Sequence, residues 1–432
     1  MKFVSTRGQS PAVDFSTAVA AGLAPDAGLY VPATLPQLTS DDFSSCSSLA
    51  DVGTRLLAPF LAGDRLAPSL AAICAEAFNF PVPLRALDAH SFVLELFHGP
   101  TAAFKDIGAR FLAACLQRLR AGQAQPLTIL VATSGDTGAA VAAAFHGLPG
   151  LQVVILYPQG RVSPRQAHQL GCFGGNVSTL AVDGAFDDCQ ALVKQALADA
   201  QLQQRLPMSS ANSISLGRLL PQMVYYAEAS LAHQRQHSRA LDFIVPTGNL
   251  GNAMAGALAR AVGLPIGRIA LASNANAVLP EFFAGADYRP RASVGTLANA
   301  MDVGAPSNFE RLRWLYPDLP ELRASFIAGA VSDAQIEATI RQAWHDHQQA
   351  FCPHTATALH LLGELRAAGD DGDWALLATA HPAKFDSIVE PLIGAAVPVP
   401  PALAALLARP AQAEPQAADY PSLRRRLLQL PP

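Results

Sequence analysis

Leu127-Thr128-Ile129-Leu130-Val131-Ala132-Thr133-Ser134-Gly135-Asp136-Thr137-Gly138 opens the stretch that decides the fold, and residues 139–145 and Val153-Val154-Ile155-Leu156-Tyr157 complete it. A short, wholly apolar run rich in Ile, Leu and Val reads as a strand buried on both faces. A glycine loop turns the chain, the small residues 139–145 read as a helix, and 153–157 reads as a second buried strand. Asp136 is the only formal charge between 121 and 160. The loop's hydroxyls, glycines and helix start suit an anion such as a carboxylate. A Gly/Ser/Thr loop also serves as a plain turn in many α/β proteins, and both readings stand at this point.

The same alternation extends outward. Residues 92–97 read as a strand, followed by the turn His98-Gly99-Pro100-Thr101. A helix then carries Phe104, Ile107, Gly108, Phe111, Leu112, Cys115, Leu116 and Leu119, and Gly122 ends it. A strand at 177–182 precedes a helix at 186–198. Phe243-Ile244-Val245 leads into a second glycine loop, with another strand at 269–272. Ser332 and Gln335 form a capping box ahead of a further helix, and 374–378 is a late strand. Short apolar strands alternating with helices predict an α/β architecture with buried parallel sheets. The first 80 residues look mainly helical, with stripes at Leu49, Val52, Leu56, Phe60 and at Leu70, Ile73, Cys74, Ala77, Phe78. The Pro- and Ala-rich tail from 397 is weakly patterned and reads as partly mobile.

Composition narrows the function. The chain has 432 residues, 50% hydrophobic and 15% charged, with a formal net charge of −4. That excludes wholesale disorder, and without a basic face it argues against nucleic acid as a partner. No run of 18 apolar residues predicts a membrane span, and the first residues lack a signal-peptide core. Six cysteines without CxxC spacing read as reduced thiols of a cytoplasmic protein. Neither HExxH nor GxSxG occurs, so no metal site and no hydrolase elbow are expected. Lysine is scarce: Lys2, Lys105, Lys194 and Lys384 are the only four among 30 basic residues. A lysine retained in a non-surface context is a candidate for chemistry that a guanidinium cannot perform, because only the amine readily loses its proton.

Lys105 sits in the first turn of an apolar helix. It is either a snorkelling surface residue or an amine whose pKa is depressed by the helix N-terminus and apolar neighbours, as a Schiff-base lysine requires. Thr247-Gly248-Asn249-Leu250-Gly251-Asn252 is either a turn or a main-chain cradle for phosphate; it matches neither a P-loop nor GxGxxG. His381 and Lys384, beside Pro382, are either a structural corner or part of a site.

Together these segments resemble the threonine synthases, a family within the fold-type II group of pyridoxal-phosphate enzymes. The resemblance rests on Gly28-Leu29-Tyr30-Val31-Pro32, on residues 95–106 (ELFHGPTAAFKD), on TSGDTG at 133–138, and on Tyr157-Pro158 with Arg161-Val162-Ser163-Pro164. Asn212-Ser213 and TAHPAKF at 379–385 complete it. It implies two parallel-sheet α/β domains with the active site between them: a larger one from 81–125 and 205–396, and a smaller, mobile one at 126–204. An N-terminal segment, 1–80, and a C-terminal tail, 397–432, would flank them.

The family's activity would be conversion of O-phospho-L-homoserine and water to L-threonine and phosphate, by γ-elimination and β-addition on pyridoxal 5′-phosphate. By the same resemblance Lys105 would hold the cofactor and move protons. Gly248, Asn249, Leu250, Gly251 and Asn252 would cradle its phosphate, Asp136 would lie near its phenolic oxygen, and Thr379 would face the pyridine nitrogen. Ser134 and Thr137 would bind the substrate carboxylate, and Arg161, Ser163 and Lys384 the substrate phosphate. A monomer or small homo-oligomer is expected. A phospholyase or dehydratase on a related phospho-amino acid would carry similar motifs, and a catalytically silent ligand-binding homologue would keep the scaffold.

Overall fold

A computed structural model describes residues 1–430. Three neighbouring parallel strands, Leu241–Pro246, Trp374–Ala378 and Ser91–Glu95, form the centre of a six-stranded sheet and are buried throughout. Ile266–Ser273 and then Phe326–Ala330 extend it on one side, also in parallel, while Leu84–Ala86 closes the other edge antiparallel to Ser91–Glu95. A second sheet of five strands is wholly parallel, in the order Glu414–Ala417, Val177–Asp183, Leu151–Pro158, Leu127–Ala132, Met208–Ser210. The expected α/β class with two parallel-sheet units is therefore present. Among the described residues no helix is long and apolar enough to cross a membrane.

The helix Lys105–Arg120 joins the parts. Eleven of its 16 residues are buried, so it packs on more than one face, as an all-round apolar helix does. It meets the small unit through the helix Asp136–Phe145, and the N-terminal segment through the helices Phe15–Ala21 and Leu70–Ala77. Phe111 on this helix stacks on Phe78 at 6.0 Å and meets Phe15 edge-on at 6.5 Å, and Phe15 in turn contacts Phe3.

The N-terminal segment is mainly helical, as expected, and adds one short pairing, Phe3–Ser5 antiparallel with Tyr30–Pro32; three-residue strands are too short to print a period on the sequence. The small unit does not stop at 204. Met208–Ser210 forms one edge strand, and the tail returns to supply the other through Glu414–Ala417. The tail also forms the helices Pro401–Leu407 and Tyr420–Leu427, the latter packed on Phe186–Ala198. Three of the four residues in Glu414–Ala417 are exposed and one is proline, so no apolar signal marked it.

Because Phe111 ties the N-terminal segment to the central helix, Phe111→Ala is expected to lower stability by about 3–5 kcal/mol. A denaturant titration followed by circular dichroism would measure it.

Candidate active site

The C-terminal ends of the three central strands deliver three of the sequence-predicted elements to one place, as open parallel sheets do. Ser91–Glu95 leads to Lys105, Leu241–Pro246 to the 247–252 loop, and Trp374–Ala378 to Thr379. Main-chain bonds fasten the first loop to the third: Phe104 N–H donates to the Thr379 carbonyl at 2.9 Å, and His381 N–H to the Ala102 carbonyl at 3.0 Å. From the second sheet, Leu127–Ala132 brings in Thr133 to Gly138. These segments line a cavity of 220 Å³ that includes Lys105, Ser134, Asp136, Thr137, residues 248–252 and Thr379.

Lys105 is the first residue of its helix. The preceding loop is shaped by Asp106, whose buried carboxylate accepts from Thr101 N–H at 2.8 Å and from Thr101 Oγ1 at 2.7 Å. A Cβ on Gly99 would stand 2.5 Å from Asp106 Oδ2, so only glycine fits there. Ala102, in the same loop, adopts a left-handed φ of 55°. Such strain in a non-glycine residue persists where the surroundings enforce it, commonly at functional sites. Burial pulls the Lys105 amine down to about 8; Lys384 and Arg218 push in the same direction, and Asp136 opposes them.

Asp136 is fully buried. Its Oδ1 lies 2.7 Å from Lys384 Nζ and accepts from Gln166 Nε2 at 3.0 Å. Burial alone would raise its pKa, but Lys384 and Lys105 outweigh that and hold the carboxylate well below the usual range. Thr133 Oγ1 accepts from the N–H groups of Gly135 and Gly138, which folds the loop back on itself.

The 247–252 loop passes the test of a phosphate cradle. The main-chain N–H groups of residues 248 to 252 donate to no other group among the described residues, and the loop ends at the N-terminus of the helix Gly251–Ala261. A Cβ on Gly248 would stand 2.8 Å from Met301 Cα, and Leu250 is held at a φ of 62°. Asn308 Nδ2 donates to the Asn249 carbonyl at 3.0 Å, and the buried Arg311 donates to Asn308 Oδ1 at 2.8 Å. Asn252 Oδ1 accepts from the hydroxyls of both Tyr225 and Tyr226. Thr379 lines the cavity, and its Oγ1 has no partner among the described residues.

The expected phosphate-binding side chains are rearranged. Arg161 is exposed and lines a neighbouring cavity of 480 Å³ that shares Ser134 with the first. Ser163 and Lys384, the other two residues expected to bind substrate phosphate, line neither of these two cavities. Ser163 caps the helix Pro164–Gly171 and donates to the Lys384 carbonyl at 2.9 Å. Lys384, 0% exposed, is committed to Asp136 and to the Thr101 carbonyl. Nothing in TAHPAKF distinguishes an amine that meets a ligand from one that meets a carboxylate far away in sequence.

Two lining residues were not singled out from the sequence. Arg218 is 3% exposed; Nη1 donates to the Ala211 carbonyl at 2.6 Å, Nε has no partner, and no carboxylate lies within 4 Å among the described residues. Burial pulls its guanidinium down to about 10. Asp106 attracts it from beyond contact distance, and a buried, cavity-lining cation with no ion pair is suited to an anionic ligand. Its only sequence signal was nearness to Asn212-Ser213, since arginine is common in this chain. His354 is likewise buried; Nε2 accepts from Ala300 N–H at 3.1 Å, and burial lowers its pKa to about 4, leaving the ring neutral.

Comparison with known proteins agrees with this geometry. The sequence pattern described as "Pyridoxal-phosphate dependent enzyme" matches residues 78–380, "Threonine synthase N terminus" matches 2–78, and "Threonine synthase, C-terminal" matches 355–425. The chain belongs to the threonine synthase family. It is 41% identical to the threonine synthase of Serratia marcescens, with 100% of each chain covered. The crystal structure of the threonine synthase of Escherichia coli superimposes with a TM-score of 0.91 at 38% identity, covering 99% of each chain. The PLP-bound threonine synthase of Brucella melitensis gives 0.90 at 35%, again over 99% of both. As in its family, the cofactor is pyridoxal 5′-phosphate, and the N–H cradle at 248–252 fits its phosphate.

A methyl group at Gly248 would force the cradle away from Met301. Gly248→Ala is therefore expected to weaken pyridoxal-phosphate retention by about tenfold or more, the loss of one good hydrogen bond. Cofactor titration of the apoprotein, read by visible absorbance, measures it.

Proposed function

We propose that this threonine synthase family member converts O-phospho-L-homoserine and water to L-threonine and phosphate in the cytoplasm, working as a monomer or small homo-oligomer. The observation that carries the reading is the pairing, in one cavity, of an amine pulled down to about 8 at Lys105 with a guanidinium at Arg218 that makes no ion pair among the described residues. One group suits proton transfer near neutral pH, and the other suits a dianionic leaving group.

When bound, pyridoxal phosphate supplies an electron sink that makes protons on the substrate's α and β carbons removable. The chain's own residues do the rest. Lys105 would hold the cofactor, and its amine would take a proton from the α carbon and return one. The free N–H groups at 248–252 and the adjacent helix start carry the cofactor phosphate. Thr379 would offer the pyridine nitrogen a neutral hydroxyl, and Asp136 would stand near the phenolic oxygen. Ser134 and Thr137, both half-buried on the cavity wall, bind the substrate carboxylate. Arg218 binds the substrate phosphate inside the cavity, and Arg161, at the mouth of the adjoining cavity, attracts it on entry and exit.

The smaller unit, around 126–204, closes over the substrate to keep water out until it is needed at the β carbon. Its anchored side is the seam where Arg165 Nε meets Asp386 at 3.1 Å and Ser163 meets Lys384.

Incubation of the holoenzyme with O-phospho-L-homoserine is expected to release L-threonine and phosphate in equal amounts. Release of 2-oxobutanoate alone would replace this reading with a phospholyase, and absence of turnover in cofactor-loaded protein would leave a ligand-binding homologue. Arg218→Met is expected to lower kcat/KM by about a hundredfold or more, the scale of two lost charge-assisted hydrogen bonds. Steady-state kinetics with phosphohomoserine, on protein shown to be folded, measures that loss.

A further inference from the structure

Among the described residues lining the main cavity, Asp136 is the only carboxylate, against the cations Lys105, Lys194 and Arg218. A buried carboxylate without a partner is strongly unfavourable, and two amines are placed to neutralise it. One of them is committed. Lys384 Nζ lies 2.7 Å from Asp136 Oδ1 and donates to the Thr101 carbonyl at 2.9 Å, with 0% of its side chain and 4% of the aspartate's exposed. Its backbone is fixed as well. It lies on the short turn Pro382–Phe385, which His381 caps by accepting from Ala383 N–H, and its carbonyl receives the Ser163 hydroxyl. Lys105 Nζ, by contrast, has no hydrogen bond or ion pair among the described residues.

We propose that Lys384 is a positioning residue for Lys105: by taking up the Asp136 charge at contact distance, it leaves the Lys105 amine without an anionic partner and therefore free to act as a nucleophile and base. The inference rests on the reading of Lys105 as the cofactor-binding amine. The groups that face Lys105 are Asp136 from the helix Asp136–Phe145, Lys384 from the 382–385 turn, Arg218 from Leu216–Leu219 and His354 from Pro353–Ala367. His354 is neutral, and Asp106, next to Lys105 on its own helix, is turned away to Thr101. The balance at Lys105 therefore depends on how completely Asp136 is neutralised by Lys384. Without the Lys384 charge, Asp136 would draw a proton onto Lys105 and raise its pKa. Without the Asp136 charge, Lys105 would lose the one anion that raises its pKa, and the pKa would fall further.

The test uses apoprotein of the full chain and follows covalent capture of pyridoxal phosphate by visible absorbance from neutral to alkaline pH. Borohydride trapping and peptide mapping then locate the label. The wild-type rate is expected to rise with a midpoint of about 8. Lys384→Met is expected to move that midpoint up by about one unit or more, and so to slow capture at neutral pH about tenfold. Lys384→Arg is expected to stay near wild type, and Asp136→Asn to fall below it. A folded Lys384→Met protein with an unshifted midpoint would overturn the proposal. So would an Asp136→Asn midpoint that rises or stays put, and that arm decides the matter if Lys384→Met fails to fold. A label mapped away from Lys105 in the wild type would instead remove the reading of Lys105, whatever the midpoints.

Discussion

Burial of the Lys105 amine is the constraint to which the surrounding structure answers. Removing an ammonium ion from water favours its neutral form, and neutrality is what a nucleophilic amine needs near physiological pH. The helix that carries it is buried over eleven of its 16 residues. The loop before it must be strained at Ala102 and clamped by Asp106 on Thr101. The neighbouring strand ends must close around it, as the bonds from Phe104 and His381 show. Each of these features has little value alone, and together they hold one half-buried side chain on the cavity wall.

Electrostatics in the cavity follows the same logic. Cations outnumber carboxylates on its wall, which suits ligands rich in phosphate and carboxylate. The arrangement separates duties by environment: a main-chain cradle with unspent N–H groups at 248–252, a guanidinium with unspent donors at Arg218, and an amine free of ion pairs at Lys105. Asp136, on that wall, is balanced by Lys384, which does not line the cavity.

Much of the fold was legible because its central strands are continuous apolar runs: 127–131, 153–157 and 374–378 could hardly be anything else. The helix at 186–198 and the Ser332/Gln335 capping box stand where periodicity and cap chemistry placed them. Lys105 stood out because lysine is scarce, and the two glycine loops because they follow strands. The rest was hidden for physical reasons. Exposed edge strands such as Glu414–Ala417 carry no apolar period. Arg218 matters through what it lacks, a contact ion pair, and only three-dimensional packing shows that. The Lys384–Asp136 contact joins residues almost 250 positions apart, and the sequence offered each as a ligand-facing group with no hint that they face each other.

The returning tail gives the smaller sheet its last neighbour. Glu414–Ala417 lies alongside Val177–Asp183, which would otherwise present a row of unpaired main-chain donors and acceptors to solvent. Tyr420–Leu427 then seals the same flank, where Tyr420 and Arg424 both reach Asp199. This stretch therefore acts as a selvedge: the ribosome must have passed it before that rim can be hemmed. Until then the nascent unit carries an adhesive border open to strands from other chains.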